Sequence, residues 1–156
     1  MAEEQIPPKV VVVGLDGSSN AEKALVWTIA LARVLDAEVI PVYALERPFV
    51  AYYPLAVAPP VELLQGWQDE VRGVFEDEWC RPLKESGLPY RPVMEEGRPA
   101  AVIAQVAERE GAGLVVVGRR GRGMVAKLML GSVSHELTNN CSIPVTVVTD
   151  STADAV

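Results

Sequence analysis

Runs of β-branched and other apolar residues recur along the chain and predict the strands of a sheet. The clearest run, at residues 9–15, reads K-V-V-V-V-G-L. A continuous apolar run that ends in glycine is typical of a strand buried on both faces. Four further runs predict strands at residues 37–44, 90–94, 114–117 and 144–148. Pro41 lies inside the second run, and proline is unfavourable in a central strand because it has no N–H to donate.

Segments with the apolar spacing of helices separate these runs. Ser19 and Glu22 form an S-x-x-E capping box, which predicts that a helix begins there. A second helix is predicted at residues 61–86, and Pro82 is expected to kink it or to end its regular part. The predicted inner face of this second helix comprises Leu64, Trp67, Val71, Val74 and Phe75.

Two more helices follow in the second half of the chain. Pro99 suits the first position of a helix whose predicted inward residues are Val102, Ile103, Val106 and Ala107. The last helix is predicted at residues 132–140. Residues 45–60 contain four prolines and are predicted to be a loop, while residues 118–131 are predicted to be loop and short helix.

The alternation of strands and helices predicts an α/β fold, a doubly wound, Rossmann-like parallel sheet of five strands with helices on both faces. Right-handed crossovers bring the carboxyl ends of all strands to one edge of such a sheet. Ligands bind at that edge, where the strand order reverses. We expect a single domain over residues 1–156 with an ordered core at about residues 8–149.

The composition narrows the range of partners. The 156-residue chain is 49% hydrophobic, which excludes a disordered protein. Its net charge of −7 argues against general binding to nucleic acid or to an anionic membrane. No apolar stretch is long enough to span a bilayer, and the first residues, M-A-E-E-Q, lack the features of a signal peptide. We therefore expect a cytoplasmic protein.

Few residues are available for metal or redox chemistry. His135 is the only histidine, which excludes a multi-histidine metal site within one chain, and we expect it on the solvated side of its helix. Cys80 and Cys141 fit reduced, packed thiols better than a disulfide. No residue is assigned as catalytic or as a metal ligand.

Asp16 is the first candidate site residue, because it directly follows the first predicted strand in G-L-D-G-S. Two interpretations stay open for it. Its carboxylate either supports the turn that starts the helix, or it accepts a hydrogen bond from a ligand hydroxyl or pairs with a bound cation.

Two glycine-rich segments are expected at the same edge, G-R-R-G-R-G at residues 118–123 and G-S-V-S at residues 131–134. Glycine permits positive φ and close approach of the backbone. The first N–H groups of a helix, with the positive end of its dipole, form an anion site. Ser132 can cap that helix or donate its hydroxyl to a phosphate.

The charges around these glycines favour a polyanionic ligand. No acidic residue occurs between Gly111 and His135, whereas this interval contains Arg119, Arg120, Arg122 and Lys127. The alternative is a flexible loop whose charges are solvated. Neither the G-x-x-x-x-G-K-[ST] pattern of P-loop proteins nor the G-x-G-x-x-G pattern of dinucleotide sites occurs.

The spacing G-x2-G-x9-G-[ST] does occur, at Gly118, Gly121, Gly131 and Ser132. With V-V-V-G-L-D-G-S, E-E-G-R-P-A, L-V-V-V-G and P-V-T-V-V, it makes the chain resemble the universal stress protein family over about residues 8–149, in particular its ATP-binding branch. The resemblance implies a sheet of order 3-2-1-4-5 and a homodimer, which we expect to form through the last strand. It also implies ATP, or the related AMP or cyclic AMP, in the crevice, and we expect Mg²⁺ with it.

The same resemblance implies a role for each site residue. Gly14 and Asp16 would lie beside the adenosine, and the backbone of Ala44 would meet the adenine ring. The ribose and first phosphate would be lined by Val117, Gly118, Arg120 and Gly121. The phosphates would be held by Gly131, Ser132, Val133 and Ser134.

These observations favour an adenine-nucleotide-binding regulatory protein of the stress response. Two alternatives remain at this point. One is a slow ATPase or nucleotidyl transferase, although no second carboxylate is evident near the glycine segments. The other is a dimeric interaction module that needs no nucleotide.

Overall fold

Five parallel strands form the centre of the fold. The computed structural model describes residues 7–46, 61–121 and 130–149. The strands are β1 (Val10–Gly14), β2 (Glu38–Leu45), β3 (Val93–Glu96), β4 (Leu114–Gly118) and β5 (Val145–Val148). They make one sheet of order β3-β2-β1-β4-β5 in which every neighbouring pair is parallel. The predicted sheet and its order are confirmed.

Helices cover both faces of this sheet. They are α1 (Ser19–Leu35), α2 (Val61–Gly73), α3 (Arg81–Ser86), α4 (Pro99–Arg109) and α5 (Ser132–Asn140), with a π-helical segment at Val74–Trp79 between α2 and α3. Within the described ranges, no helix is long and apolar enough to cross a membrane.

The valine run of β1 is continuous because each face of the strand packs against its own apolar core. Val11 and Val13 belong to the core under α1 that also contains Phe75. Val12 belongs to the core on the opposite face, with Ile103 of α4. The three valines are fully buried. Burial on both faces removes the polar alternation that a half-exposed strand would show.

Pro41 is accommodated inside β2 by an interruption in the neighbouring strand. Val39 donates to the carbonyl of Pro89 and accepts from the N–H of Arg91, so its backbone faces the β3 side. By alternation along the strand, the nitrogen of Pro41 faces the same side. Regular pairing with β3 begins only at Val42. The N–H group that Pro41 lacks would therefore point to a place where β2 and β3 are not regularly paired.

The helical stretch predicted at residues 61–86 begins and ends at the predicted residues, but it is not one regular helix. α2 ends at Gly73, and α3 begins at Arg81 after the π-helical segment. Pro82 lies in the first turn of α3, where its missing N–H costs nothing. Of the predicted inner face, Phe75 is fully buried and the other four residues are half-buried, because α2 has no fully buried residue and the chain reaches the core only beyond it.

The third strand begins later than predicted. Tyr90 makes an isolated bridge to Val39, and continuous pairing starts at Val93. The loop predicted at residues 45–60 lies outside the described residues from residue 47 onward. Residues 122–129 of the predicted loop and short helix at residues 118–131 also lie outside them.

An aromatic contact fixes the π-helical segment on the sheet. The ring of Tyr43 stands edge-on to that of Trp79, with centroids 5.1 Å apart. Cys80, the next residue, is fully buried, and this burial, together with the negative charge of Glu76, raises the pKa of its thiol to about 12. Cys80 and the half-buried Cys141 are both free thiols, as predicted.

Ser18, and not Ser19, caps α1. The Ser18 hydroxyl accepts a hydrogen bond from the N–H of Ala21 at 3.2 Å. Asp16 Oδ1 accepts from the N–H of Ser18 at 2.9 Å, which holds Ser18 in the extended conformation that a cap requires. The sequence pattern located the start of the helix correctly but assigned the cap one residue too late, because it could not show this hydrogen bond.

Replacement of Ser18 by alanine tests this assignment. We expect Ser18→Ala to lower the free energy of unfolding by about 1 kcal/mol, because the N–H of Ala21 loses its acceptor. Ser19→Ala is the matched control and should change stability by less than about 0.5 kcal/mol. Urea unfolding of both variants provides the comparison, and a larger loss in Ser19→Ala would contradict the assignment.

Candidate functional site

A cavity of about 720 Å³ opens at the carboxyl edge of the sheet. The ends of β1, β2 and β4 and the first turns of α4 and α5 form its walls. It lies where the strand order reverses, since β1 pairs with β2 on one side and with β4 on the other. All eleven residues predicted for the site line this cavity: Gly14, Asp16, Ala44, Val117, Gly118, Arg120, Gly121, Gly131, Ser132, Val133 and Ser134.

Asp16 and Gly121 meet across the gap between the ends of β1 and β4. Asp16 Oδ1 holds the N–H of Ser18, so this carboxylate oxygen has the turn-supporting role that was one of its two interpretations. A methyl group on Gly121 would come within 2.5 Å of Asp16 Oδ2. A side chain at this position would therefore require the carboxylate of Asp16 to shift.

The other glycines of the site also serve close approach rather than positive φ. A Cβ at Gly118 would lie 2.6 Å from the carbonyl oxygen of Asn20, and one at Gly14 would lie 2.7 Å from Ile103 Cδ1. The described glycines with positive φ are elsewhere, at Gly17, Gly87, Gly97 and Gly111. Of the two uses of glycine named from the sequence, only close packing applies to the predicted site.

The N-terminus of α5 is fixed to the segment after β4 through one carbonyl group. The carbonyl oxygen of Arg119 accepts from the N–H of Gly131 at 2.9 Å and from Ser134 Oγ at 2.9 Å. The N–H of Arg119 donates in turn to the carbonyl of Val148 in β5. The cavity wall at this point is thus tied to the rest of the sheet.

Ser132 does not cap α5. Gly131 is the N-cap, no side-chain hydrogen bond caps the helix, and Ser132 is the first helical residue. The first intrahelical bond runs from the N–H of His135 to the carbonyl of Gly131 at 2.9 Å. The N–H groups of Ser132, Val133 and Ser134 therefore lie in the turn that has no intrahelical acceptors.

The hydroxyl of Ser134 faces inward and not toward a ligand. The residue is 2% exposed, and Oγ lies 2.9 Å from the carbonyl oxygen of Arg119 and 3.0 Å from that of Gly131. Its N–H is the group it can offer to the cavity. His135, by contrast, is exposed, as the sequence predicts.

Ala44 presents backbone groups beyond the end of β1. The N–H of Leu15 donates to the carbonyl of Val42, and the N–H of Gly97 donates to that of Leu45. Backbone groups alternate in direction along a strand, so Ala44 faces the β1 side like Val42. Because β1 ends at Gly14, opposite Val42, the N–H and C=O of Ala44 point past that end toward the cavity.

A model described as "Universal stress protein family" matches residues 8–149. The chain belongs to the universal stress protein family. The universal stress protein MJ0531 of Methanocaldococcus jannaschii is 31% identical over 148 residues, which cover 90% of this chain and 81% of that protein.

Three solved structures share the universal stress protein fold found here. The hypothetical protein MJ0577 matches with a TM-score of 0.74 at 24% identity, and the match covers 90% of this chain and 94% of the chain of MJ0577. A universal stress protein in complex with cAMP has a TM-score of 0.68 at 22% identity, with coverages of 91% and 97%. A universal stress protein family protein from Arabidopsis thaliana with AMP bound has a TM-score of 0.61 at 20% identity, with coverages of 90% and 91%.

In this universal stress protein, charged side chains that sequence reasoning did not assign to the site also line the cavity. Glu46 follows β2, Arg98 precedes α4 and Glu136 lies on α5. Arg98 Nη2 lies 2.9 and 3.1 Å from the two carboxylate oxygens of Glu136. Glu136 is four residues after Ser132, which is the spacing that puts two residues on one helix face. That spacing is the sequence signal that could have identified it.

No metal centre accompanies these groups in residues 7–46, 61–121 and 130–149. No cluster of three or more histidine, cysteine, aspartate or glutamate side chains there could hold a metal ion.

Proposed function

We propose that this universal stress protein binds an adenine nucleotide in the cavity at the carboxyl edge of the sheet. The observation that carries the proposal is the position of the α5 N-terminus, whose first N–H groups open into the same cavity as the end of β1 and the backbone of Ala44. A volume of about 720 Å³ is in the usual range for small-molecule sites, roughly 300–1,000 Å³. Similar folds are known with cAMP and with AMP bound.

The phosphates bind at α5 in this proposal. The N–H groups of Ser132, Val133 and Ser134 donate to phosphate oxygens, and the positive end of the helix dipole adds to the attraction. Arg120 lines the cavity beside them and supplies positive charge. Because Ser134 Oγ is occupied by carbonyl groups, Ser134 contributes its backbone and Ser132 is the residue whose hydroxyl can donate.

The nucleoside lies toward β1 and β2. The N–H and C=O of Ala44 form a donor and acceptor pair that suits the edge of an adenine ring. Asp16 Oδ2 accepts a ribose hydroxyl while Oδ1 holds the turn before α1. Gly14, Val117, Gly118 and Gly121 line this part of the cavity.

ATP is the ligand that this arrangement serves best, with Mg²⁺ carried on its phosphates. AMP and cyclic AMP would use the same nucleoside contacts and fewer of the N–H groups at α5. We further propose that the protein is a cytoplasmic regulatory component of the stress response, in which the bound nucleotide acts as a signal and is not consumed.

Slow hydrolysis of ATP is the alternative activity. Glu136 brings to the glycine segments a carboxylate that sequence reasoning did not find, but Arg98 holds it. Asp16 is already engaged with the N–H of Ser18. Both carboxylates therefore have hydrogen-bond partners within the protein, and neither is held in position to orient an attacking water, which phosphoryl transfer to water requires.

Substitution of Ser132 by proline tests the phosphate contact. Gly131 has φ −65° and ψ 162°, a conformation compatible with a following proline, and the first helical position tolerates one. Ser132→Pro removes the N–H and the hydroxyl, whereas Ser132→Ala removes the hydroxyl alone. Since a charged hydrogen bond contributes about 1.5–3 kcal/mol, we expect calorimetry to show at least about tenfold weaker ATP binding in Ser132→Pro.

The control ligand for this experiment is adenosine, which has no phosphate. The affinity for adenosine should change little in either variant. The ATP affinity of Ser132→Ala should lie between that of Ser132→Pro and that of the wild-type protein. Equal ATP affinity in all three proteins would contradict the proposed phosphate site.

We also propose a homodimer that forms through β5. β5 lies at the edge of the sheet and pairs with β4. The carbonyls of Pro144 and Val148 face β4, so by alternation the backbone groups of Val145 and Val147 face outward and can pair with a second chain.

Sedimentation measurements test the dimer. We expect a dimer at micromolar concentration, and we expect Val147→Pro to shift it to monomer because the outward N–H is lost while the bonds to β4 remain. Thr146→Ala leaves the outward groups intact and should stay dimeric. A wild-type protein that sediments as a monomer at micromolar concentration would refute the proposed dimer.

A further inference from the structure

The ion pair between Arg98 and Glu136 bridges the two helices that border the phosphate end of the cavity. Arg98 is the N-cap residue of α4, directly before Pro99, and Glu136 is one turn into α5. Both side chains line the cavity. Their N–O distances are 2.9 and 3.1 Å, to the two oxygens of one carboxylate.

We propose that this ion pair determines how strongly the site distinguishes nucleotides by their number of phosphates. Resting on the proposed function, the inference names Arg98 and Glu136 as specificity-determining residues of the same site. Glu136 holds Arg98 away from the ligand and neutralises its charge. A nucleotide with more phosphates gains more by drawing Arg98 away from Glu136.

The exposure of the pair makes such an exchange inexpensive. The Arg98 side chain is 75% exposed and that of Glu136 is 35% exposed. Ion pairs in this range contribute little to stability because water and salt screen them. The guanidinium can therefore leave the carboxylate for a phosphate oxygen without a large loss in folding energy.

The two residues act on a polyphosphate in opposite directions. Arg98 attracts it, whereas the carboxylate of Glu136, one turn from Ser132, repels it once Arg98 is absent. An uncharged nucleoside feels neither effect. The pair therefore changes the ratio of ATP to adenosine affinity, which a purely structural brace between α4 and α5 would leave unchanged.

The test measures binding of ATP, AMP and adenosine to Arg98→Gln, Glu136→Gln and the double variant by calorimetry, without Mg²⁺. We expect Glu136→Gln to bind ATP about three- to fivefold more tightly and Arg98→Gln to bind it about three- to fivefold more weakly. The double variant should return close to the original affinity. AMP should respond less than ATP, and adenosine should change by less than about twofold.

A second ion pair provides the charge-matched control. Arg91 Nη2 lies 2.8 Å from Glu110, and Arg91 also contacts Glu38, the first residue of β2, so this pair is at the opposite edge of the sheet. Arg91→Gln and Glu110→Gln change the net charge as the test variants do. They should leave the ATP to adenosine ratio unchanged.

Three results would overturn the inference. In the first, all three ligands shift equally in the test variants, which indicates a structural role. In the second, the control variants change the ratio as much as the test variants. In the third, ATP and adenosine bind to every test variant with unchanged affinity, which removes the inference while the nucleotide site stands. If no adenine compound binds the original chain, the proposed function itself fails.

Discussion

The carbonyl oxygen of Arg119 holds the candidate site together. It accepts hydrogen bonds from the N–H of Gly131 and the hydroxyl of Ser134, and so fixes the start of α5 against the segment that follows β4. A Cβ at Gly131 would lie 3.2 Å from this oxygen, which leaves little room for a larger residue. Together with the packing of Leu137 in the core, this contact positions the first N–H groups of α5 relative to the sheet. Gly118, Gly121 and Gly131 of the glycine spacing are therefore positions of close packing within the protein.

Charge has to be considered locally in this protein. The chain carries a net charge of −7, which disfavours a polyanion in general. At the cavity, however, the helix terminus and Arg120 are positive, and Glu136 is neutralised by Arg98. A phosphate group at the start of α5 thus meets positive groups, whereas the carboxylates of Asp16 and Glu46 line the cavity near the ends of β1 and β2. In the proposed mechanism, Arg98 at the border of the site can leave Glu136 for a phosphate oxygen.

The sequence predicts most of the fold, and the residues that it assigns to the site line one cavity, because these features depend on local patterns. The buried strand β1 follows from its valine run, and α5 begins and ends at the predicted residues. Features that depend on contacts between distant residues were not predictable. The Arg98–Glu136 pair joins residues 38 positions apart, and the break between α2 and α3 depends on packing of the π-helical segment on the sheet. The cap at Ser18 depends on a side-chain contact of Asp16.

A titration with ATP followed by two-dimensional ¹⁵N–¹H NMR tests the central claim most directly, because the claim concerns individual backbone N–H groups. The account predicts saturable shifts that are largest for the amides of Ser132, Val133 and Ala44, at the carboxyl edge of the sheet. The amide resonance of Glu38, which lies at the opposite edge of the sheet, should not shift. Saturable shifts that cluster away from α5 and β2, or no shifts at millimolar ATP, would contradict the account.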